Sequence, residues 1–398
     1  IIKYSIIEIV HMNSFKRIWA ALNLEEPDRI PTHTINIDGN VADKILGKPE
    51  RTAFDIFNEM ERKYPDEWVD KINQILDDIE ITVFAKCVRA GHKLGFDGVG
   101  IQYIPFILES QTEMTDIFGK RHKIRNLDGN PYPDYYGGYI KNREDWEAYP
   151  KPDFKVEYER AKKFYKGVFR KCRDIKDKIC IFAQNALTSV FPPVWQGMGM
   201  ANFARALKND PKLVEERFRF CTDFTLNVFK AYDDCGAKIF LEGGDIAHKG
   251  GPMINPKYFN KYLLPCYQEV SDQIHEWGGK YILHTDGDVT SLLDFIVDCR
   301  FDALQCLEPP FVDPYLVKKK VGDKICLSGN IDTRHILVDA TKEEVTQAVK
   351  NAINAMGHDG GFMISPANFH PTISPKRLEW MIEATHKYGV YPLKFIEG

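Results

Sequence analysis

A histidine and an aspartate two residues apart close the apolar run from Tyr281 to Asp288, YILHTDGD. Side chains alternate along a strand, and a glycine turn at its end breaks the alternation, so His284 and Asp286 can both face one cleft. A pair so placed is a candidate metal site, with neutral imidazole as ligand, or a general acid/base pair. A second run, FLEGGD from Phe240 to Asp245, repeats the order of apolar strand, acid, glycines and acid. Two such edges in one chain point to an enzyme. Glu242 ends a strongly apolar strand, where burial raises its acidity constant unless a cation compensates, and this makes it a candidate acid or ligand. Asp286 reads equally as a second ligand or as the tie of its glycine turn, and Asp245 as a site acid or a turn cap. His284 could also simply cap its strand, while His248 fits a surface role.

These residues need a scaffold that gathers strand ends. From about residue 178 onward, short β-rich runs alternate with long amphipathic helical stretches, the pattern of parallel sheets with crossover helices. The sequence predicts strands at 178–184, 237–243, 280–285, 303–308, 324–329 and 360–365, with earlier ones at 29–37 and 97–103. Eight strands with right-handed crossovers close a (β/α)8 TIM barrel. Asp210 and Pro211, Asn255 and Pro256, and Thr341 with Glu344 three residues later mark helix starts. Residues 40–95 read as a helical N-terminal extension. Residues 104–155, rich in Gly, Pro, Tyr and charge, read as a β-hairpin insertion over one barrel mouth, with Asp128 and Gly129 as its turn. Residues 12–398 are expected to form a single barrel domain. The first eleven residues are expected to be an upstream extension with no part in the chemistry.

In such a barrel the active site lies at the carboxyl ends of the strands. The residues there are Asn36, Asp38, Gln102, Tyr103, Gln184, Asn185, Glu242, Asp245, His284, Asp286, Glu308, Asn330, Asp332, Asn368 and His370. This ring is polar and net acidic, suited to a cation, a metal or a substrate that needs proton transfer. Asn368 and His370 can line the mouth, although Pro371 makes local turn geometry an adequate account of them. Phe191, Pro192, Pro193 and Trp195 form either an aromatic wall for a flat ligand or a buried loop. No phosphate-loop, zincin or nucleophile-elbow pattern stands in a convincing context, and QGMGMA at 196–201 lacks the phosphate-loop spacing.

Composition removes several classes. With 398 residues and 44% hydrophobic content, the chain can bury a large core. Its 53 basic and 57 acidic residues are well mixed, so nucleic acid is not an expected partner. The first eleven residues are too short to span a bilayer. Nine cysteines without paired spacing predict reduced thiols and a cytoplasmic location, with Cys180, Cys306 and Cys326 as buried core thiols.

Several segments together resemble the uroporphyrinogen decarboxylase superfamily, in particular its corrinoid-dependent methyltransferase branch. They are FKRIWAALNLEEPDRIP, EGGDIAHKGGPMINPKYFNKYLLPCYQEV, HTDGDVTSLLDFIVDCRFDALQCLEP, LSGNIDTRHIL and GGFMISPANFHPTISPKRLEWMIEATHKYG, and the resemblance covers nearly all of residues 13–391. The decarboxylases carry an arginine-rich segment after the first strand that grips an acidic tetrapyrrole. Here that position reads THTINIDGN, and without arginine eight carboxylates would be badly paired. Thiol methyltransferases of the superfamily bind zinc through HxC and a later cysteine. Here Asp286 and Asn368 stand at those cysteine positions, and hard oxygens are poor substitutes for thiolates.

The resemblance therefore implies a substrate-side methyltransferase. It would take a methyl group from a methoxylated aromatic compound or another small methylated donor and pass it to the cobalt(I) of a corrinoid (cobalamin) on a partner protein, in the anaerobic setting such chemistry implies. O-demethylation needs the leaving oxygen to be protonated or bound to a Lewis acid. Glu242, His284, Asp286 and Asp245 are the expected catalytic groups, with His284, Asp286 and Glu242 as zinc ligands. Asn36, Tyr103, Asn185, Trp195, Asn330, Asn368 and His370 are expected to contact substrate. Alternatives are a tetrapyrrole decarboxylase, a thiol methyltransferase and a non-catalytic corrinoid carrier. A homodimer is one assembly such a chain could form.

Overall fold

The computed structural model describes residues 12–49 and 51–394, so the expectation about residues 1–11 lies outside the described residues. Eight parallel strands form the barrel: β1 (His33–Thr34), β2 (Gly98–Gln102), β3 (Cys180–Gln184), β4 (Ile239–Gly243), β5 (Lys280–His284), β6 (Ala303–Cys306), β7 (Cys326–Ile331) and β8 (Phe362–Pro366). Each pairs with the next in sequence order, and a bridge from Thr32 to Ile364 joins the first strand to the last. Six fall wholly inside the runs predicted from sequence, and β7 and β8 overrun theirs by two residues and one.

Alternation along each strand sorts two cores. Cys180, Phe182, Ile239, Leu241, Ile282, Ala303, Cys326 and Met363 fill the barrel interior, while Phe240, Tyr281, Leu283, Leu304 and Leu327 face the surrounding helices. The helix Ser14–Leu22 sends Ile18, Ala21 and Leu22 into the interior set and stoppers the amino end of the barrel. Its Arg17 holds it there, donating to Asp28 at 2.6 Å and to Asp97 at 2.6 Å, just before β2. Gly98 and Gly100 are needed on β2 because a Cβ would lie 2.8 Å from the Phe182 ring or 2.3 Å from the Gln184 amide.

The helical extension is present as Gly39–Leu46, Ala53–Lys63 and Trp68–Leu94. Asp210 caps Pro211–Asp233, and Thr341 with Glu344 makes the expected capping box. The insertion differs from the expected hairpin. It is a four-stranded antiparallel sheet of Phe106–Leu108, Glu113–Asp116, Lys120–Leu127 and Asn130–Gly138, followed by the helix Arg143–Ala148. Asp128 and Gly129, both at positive φ, do make its final turn. The two extra strands are only three and four residues long, too short for a period of two to register. Lys120, fully buried, ties the sheet down through Asp116 at 3.0 Å and the carbonyl of Leu187 in the loop after β3. All nine cysteines are free thiols. Among the described residues, no helix is long and apolar enough to cross a membrane.

Candidate functional site

At the carboxyl end of the barrel, the end of β5 and the turn after it meet the end of β6. His284 Nε2 lies 3.7 Å from Asp286 Oδ1 and 3.8 Å from Asp245 Oδ1. The Cys306 thiol donates to Asp286 Oδ1 at 3.2 Å. One ligand atom from each of His284, Asp286 and Cys306 lies within 4.8 Å of the others. Asn368, after β8, donates to both Asp286 oxygens at 2.8 and 3.1 Å and so fixes the carboxylate. Glu308 accepts from the Gly287 amide at 2.8 Å and holds the glycine turn.

The imidazole is oriented from behind. Gln305, inward on β6 and fully buried, donates its amide hydrogens to Ser365 Oγ at 3.1 Å and to the carbonyls of Pro366 and Ala367 at 3.2 and 3.3 Å. Its Oε1 therefore faces His284 Nδ1, which must be the protonated nitrogen. The Nε2 lone pair is left facing the carboxylates. An imidazole with Nδ1–H held and Nε2 free is the form that ligates a cation, and histidine, cysteine and aspartate together are a donor set zinc accepts.

Charge at the rim is in keeping with such a guest. Burial and the neighbouring Asp286 push the Asp245 carboxyl up to about 6. Its side chain is 47% exposed at the mouth, but Oδ1 is shut away from solvent and accepts no hydrogen bond among the described residues. Burial and Asp286 likewise raise the Cys306 thiol well above its ordinary range. A bound cation would reverse both tendencies. Cys306 sits at φ 108 and Leu307 at φ 49, a left-handed bend rare for residues with side chains. Cys306 is fully buried, as expected, but the bend carries its thiol to the Asp286 side, where it joins the rim cluster as well as packing. Cys180 and Cys326 do pack in the interior core.

Glu242 does not join this group. Gly243 is in register with His284 and Glu242 with Leu283, so Glu242 shares the outward face of Leu283 and Tyr281. Its carboxylate accepts from the Val190 amide at 2.7 Å and Tyr281 Oη at 2.8 Å, in the layer between strand and helices. Burial there pushes it up to about 7. The expected roles of Glu242 as zinc ligand and catalytic acid are thus corrected by strand phase.

The same phase removes two expected substrate contacts. Tyr103 is fully buried among the helices, its hydroxyl donating to Glu157 at 2.8 Å, and Asn185 turns to Thr225 at 3.2 Å. Trp195, on the helix Pro192–Met198, packs edge-on against Tyr135 of the insertion at 5.9 Å. Asn330 shares the inward phase of Cys326 and Ser328, opposite Ser365. Asn36 and His370 line a small cavity between the loops after β1 and β8, and Nδ1 of His370 pairs with Thr372 at 2.7 Å.

Sequence reasoning missed Gln305 and Cys306. Gln305 was open to discovery, being a polar residue in the inward phase of an apolar strand. Cys306 was not, because only the left-handed backbone brings it to the rim.

The uroporphyrinogen decarboxylase (URO-D) family model matches residues 128–388. Among solved structures, a methyltransferase from Methanosarcina mazei superposes with a TM-score of 0.70 at 16% identity, covering 95% of this chain and 99% of that one. A putative vitamin-B12 independent methionine synthase from Listeria monocytogenes follows with a TM-score of 0.47 at 11% identity, covering 90% and 96%. No curated protein sequence matches the chain. With well over half of its length matched by the family model, the chain belongs to the uroporphyrinogen decarboxylase family.

Proposed function

We propose that the protein is a methyltransferase that removes a methyl group from a methoxylated small molecule, most naturally an aromatic one, and delivers it to a corrinoid carried by a partner protein. The observation that carries this reading is the orientation of His284, whose free Nε2 faces Asp245 and Asp286 beside Cys306 at the barrel mouth. In O-demethylation the carbon–oxygen bond breaks, the leaving oxygen keeps the electron pair, and the acceptor supplies the pair for its new bond to carbon. That oxygen must then be neutralised. His284, Asp286 and Cys306 would hold a zinc ion, which when bound supplies Lewis acidity toward it. Asp245, raised to about 6, is placed to hold a proton beside the same point. Asn368 and Gln305 keep the two principal groups in position.

Acids at the mouth speak against a substrate with eight carboxylates, which Asp245 and Asp286 would repel. Methyl transfer to a thiol gains some support from Cys306, which returns one soft donor to the set. The deciding experiment mixes the purified protein with a cobalt(I) corrinoid protein and a panel of methoxyarenes, methylamines and methylated thiols, following methylcobalt absorbance. Methylcobalt from methoxyarenes supports the proposal. Silence across all donors, or turnover of uroporphyrinogen in a parallel assay, overturns it.

A further inference from the structure

The loops after β1 and β8 enclose a cavity of about 10 Å³, room for one water-sized group, between Asn36 and Asp38 on one side and Phe369 and His370 on the other. Val41 and Ile373 complete an apolar wall. Two acceptor atoms in this space, Asn36 Oδ1 and Asp38 Oδ2, are buried and have no hydrogen-bond partner among the described residues. Asp38 is only 9% exposed. It occupies the N-cap position of the helix Gly39–Leu46, where an aspartate ordinarily accepts from the first turn, yet its side chain makes no capping bond. The carboxyl has left its usual partner for the cavity. Burial pushes it up to about 7, as befits a carboxyl that no donor meets.

Above about pH 7, where Asp38 is ionised, both atoms are acceptors and take a donor from whatever fills the dry space. We infer that Asn36 and Asp38 are a specificity site for a hydroxyl or amino head group on the methyl donor, whose apolar body lies along Phe369. A carboxylate or a methoxy oxygen in that place would add a third acceptor and is rejected. The cavity and the rim cluster share the loop after β8, since Phe369, which lines the cavity, follows Asn368, which grips Asp286. This inference rests on the proposed methyl transfer for the identity of the ligand, but it concerns binding alone and is tested without a corrinoid.

The test is calorimetric titration of the purified protein with 2-methoxyphenol, 2-methoxyaniline, methoxybenzene and 2-methoxybenzoate. The phenol and the aniline should bind about tenfold or more tightly than methoxybenzene, and the benzoate more weakly still, because a site built around polar partners discriminates against the analogue that lacks them. Asp38→Leu should bring the affinity for 2-methoxyphenol down to that for methoxybenzene. Asn36→Ala tests the same point if Asp38→Leu melts early. Equal affinities in the wild type, binding of no probe, or a preference that survives in a folded variant means that the cavity holds water only and overturns the inference. Selective binding without methylcobalt formation would sink the proposed reaction and leave the specificity site standing; methyl transfer without the preference would do the reverse.

Discussion

Gln305 decides which nitrogen of His284 carries the proton. Its amide hydrogens are committed to Ser365, Pro366 and Ala367, so its oxygen must accept from Nδ1, and the histidine presents a lone pair to the rim. A fully buried residue thereby sets which lone pair the rim receives.

Gln305→Leu should weaken zinc binding by about 10–100-fold, the usual cost of losing the group that orients a ligating histidine. Competition with a chromophoric chelator measures it. Gln305→Glu should recover much of the affinity, since it can still accept from Nδ1, and an equal loss in both variants would refute an orienting role.

Cys306→Ser and Asp286→Asn should each lower the zinc content of purified protein, and His284→Ala should abolish it, as read by elemental analysis. Full zinc in Cys306→Ser would return that thiol to a packing role.

Glu242→Gln should leave turnover within a few-fold of wild type, because the carboxylate faces Val190 and Tyr281 rather than the rim. Its effect should appear in stability. A carboxyl raised to about 7 in the fold binds its proton more tightly there than in the unfolded chain, where it titrates near 4.5. Its contribution is full below pH 4.5 and is lost as pH rises to about 7. Urea unfolding at pH 5 and pH 7.5 should show wild type losing about 2–3 kcal/mol relative to Glu242→Gln. A pH-independent difference would contradict this placement.

Tyr103→Phe should cost about 1 kcal/mol of unfolding free energy through the lost bond to Glu157, with turnover unchanged. A large fall in turnover at unaltered stability would put Tyr103 back at the site.

Lys120→Met strands the Asp116 carboxylate, 1% exposed, without its cation. The cost should be about 3 kcal/mol or more, and limited proteolysis should cut first within residues 106–138. Cleavage elsewhere would mean that the pair does not anchor the insertion.

The barrel was legible because its period was strong. Runs such as Lys280–His284 and Phe362–Pro366 are apolar, short and bounded by turns, and all eight strands overlap the runs that the pattern predicted. The rim was legible where polar residues follow an apolar run, as at His284 and Asp286, Glu308 and Asn368. Glu242, Tyr103 and Asn185 went astray for a shared reason. Reading candidates from strand ends ignores phase, and a shift of one residue turns a side chain from the mouth into the helical layer. Cys306 failed differently, since a left-handed backbone at a non-glycine residue leaves no mark in the sequence.

The stopper formed by Ile18, Ala21 and Leu22 makes the barrel a cul-de-sac. With the interior packed and the amino end stopped, the carboxyl-end rim is the one side from which a molecule can reach His284 and leave again. Any ligand of the rim cluster exchanges at this doorway and not along a tunnel.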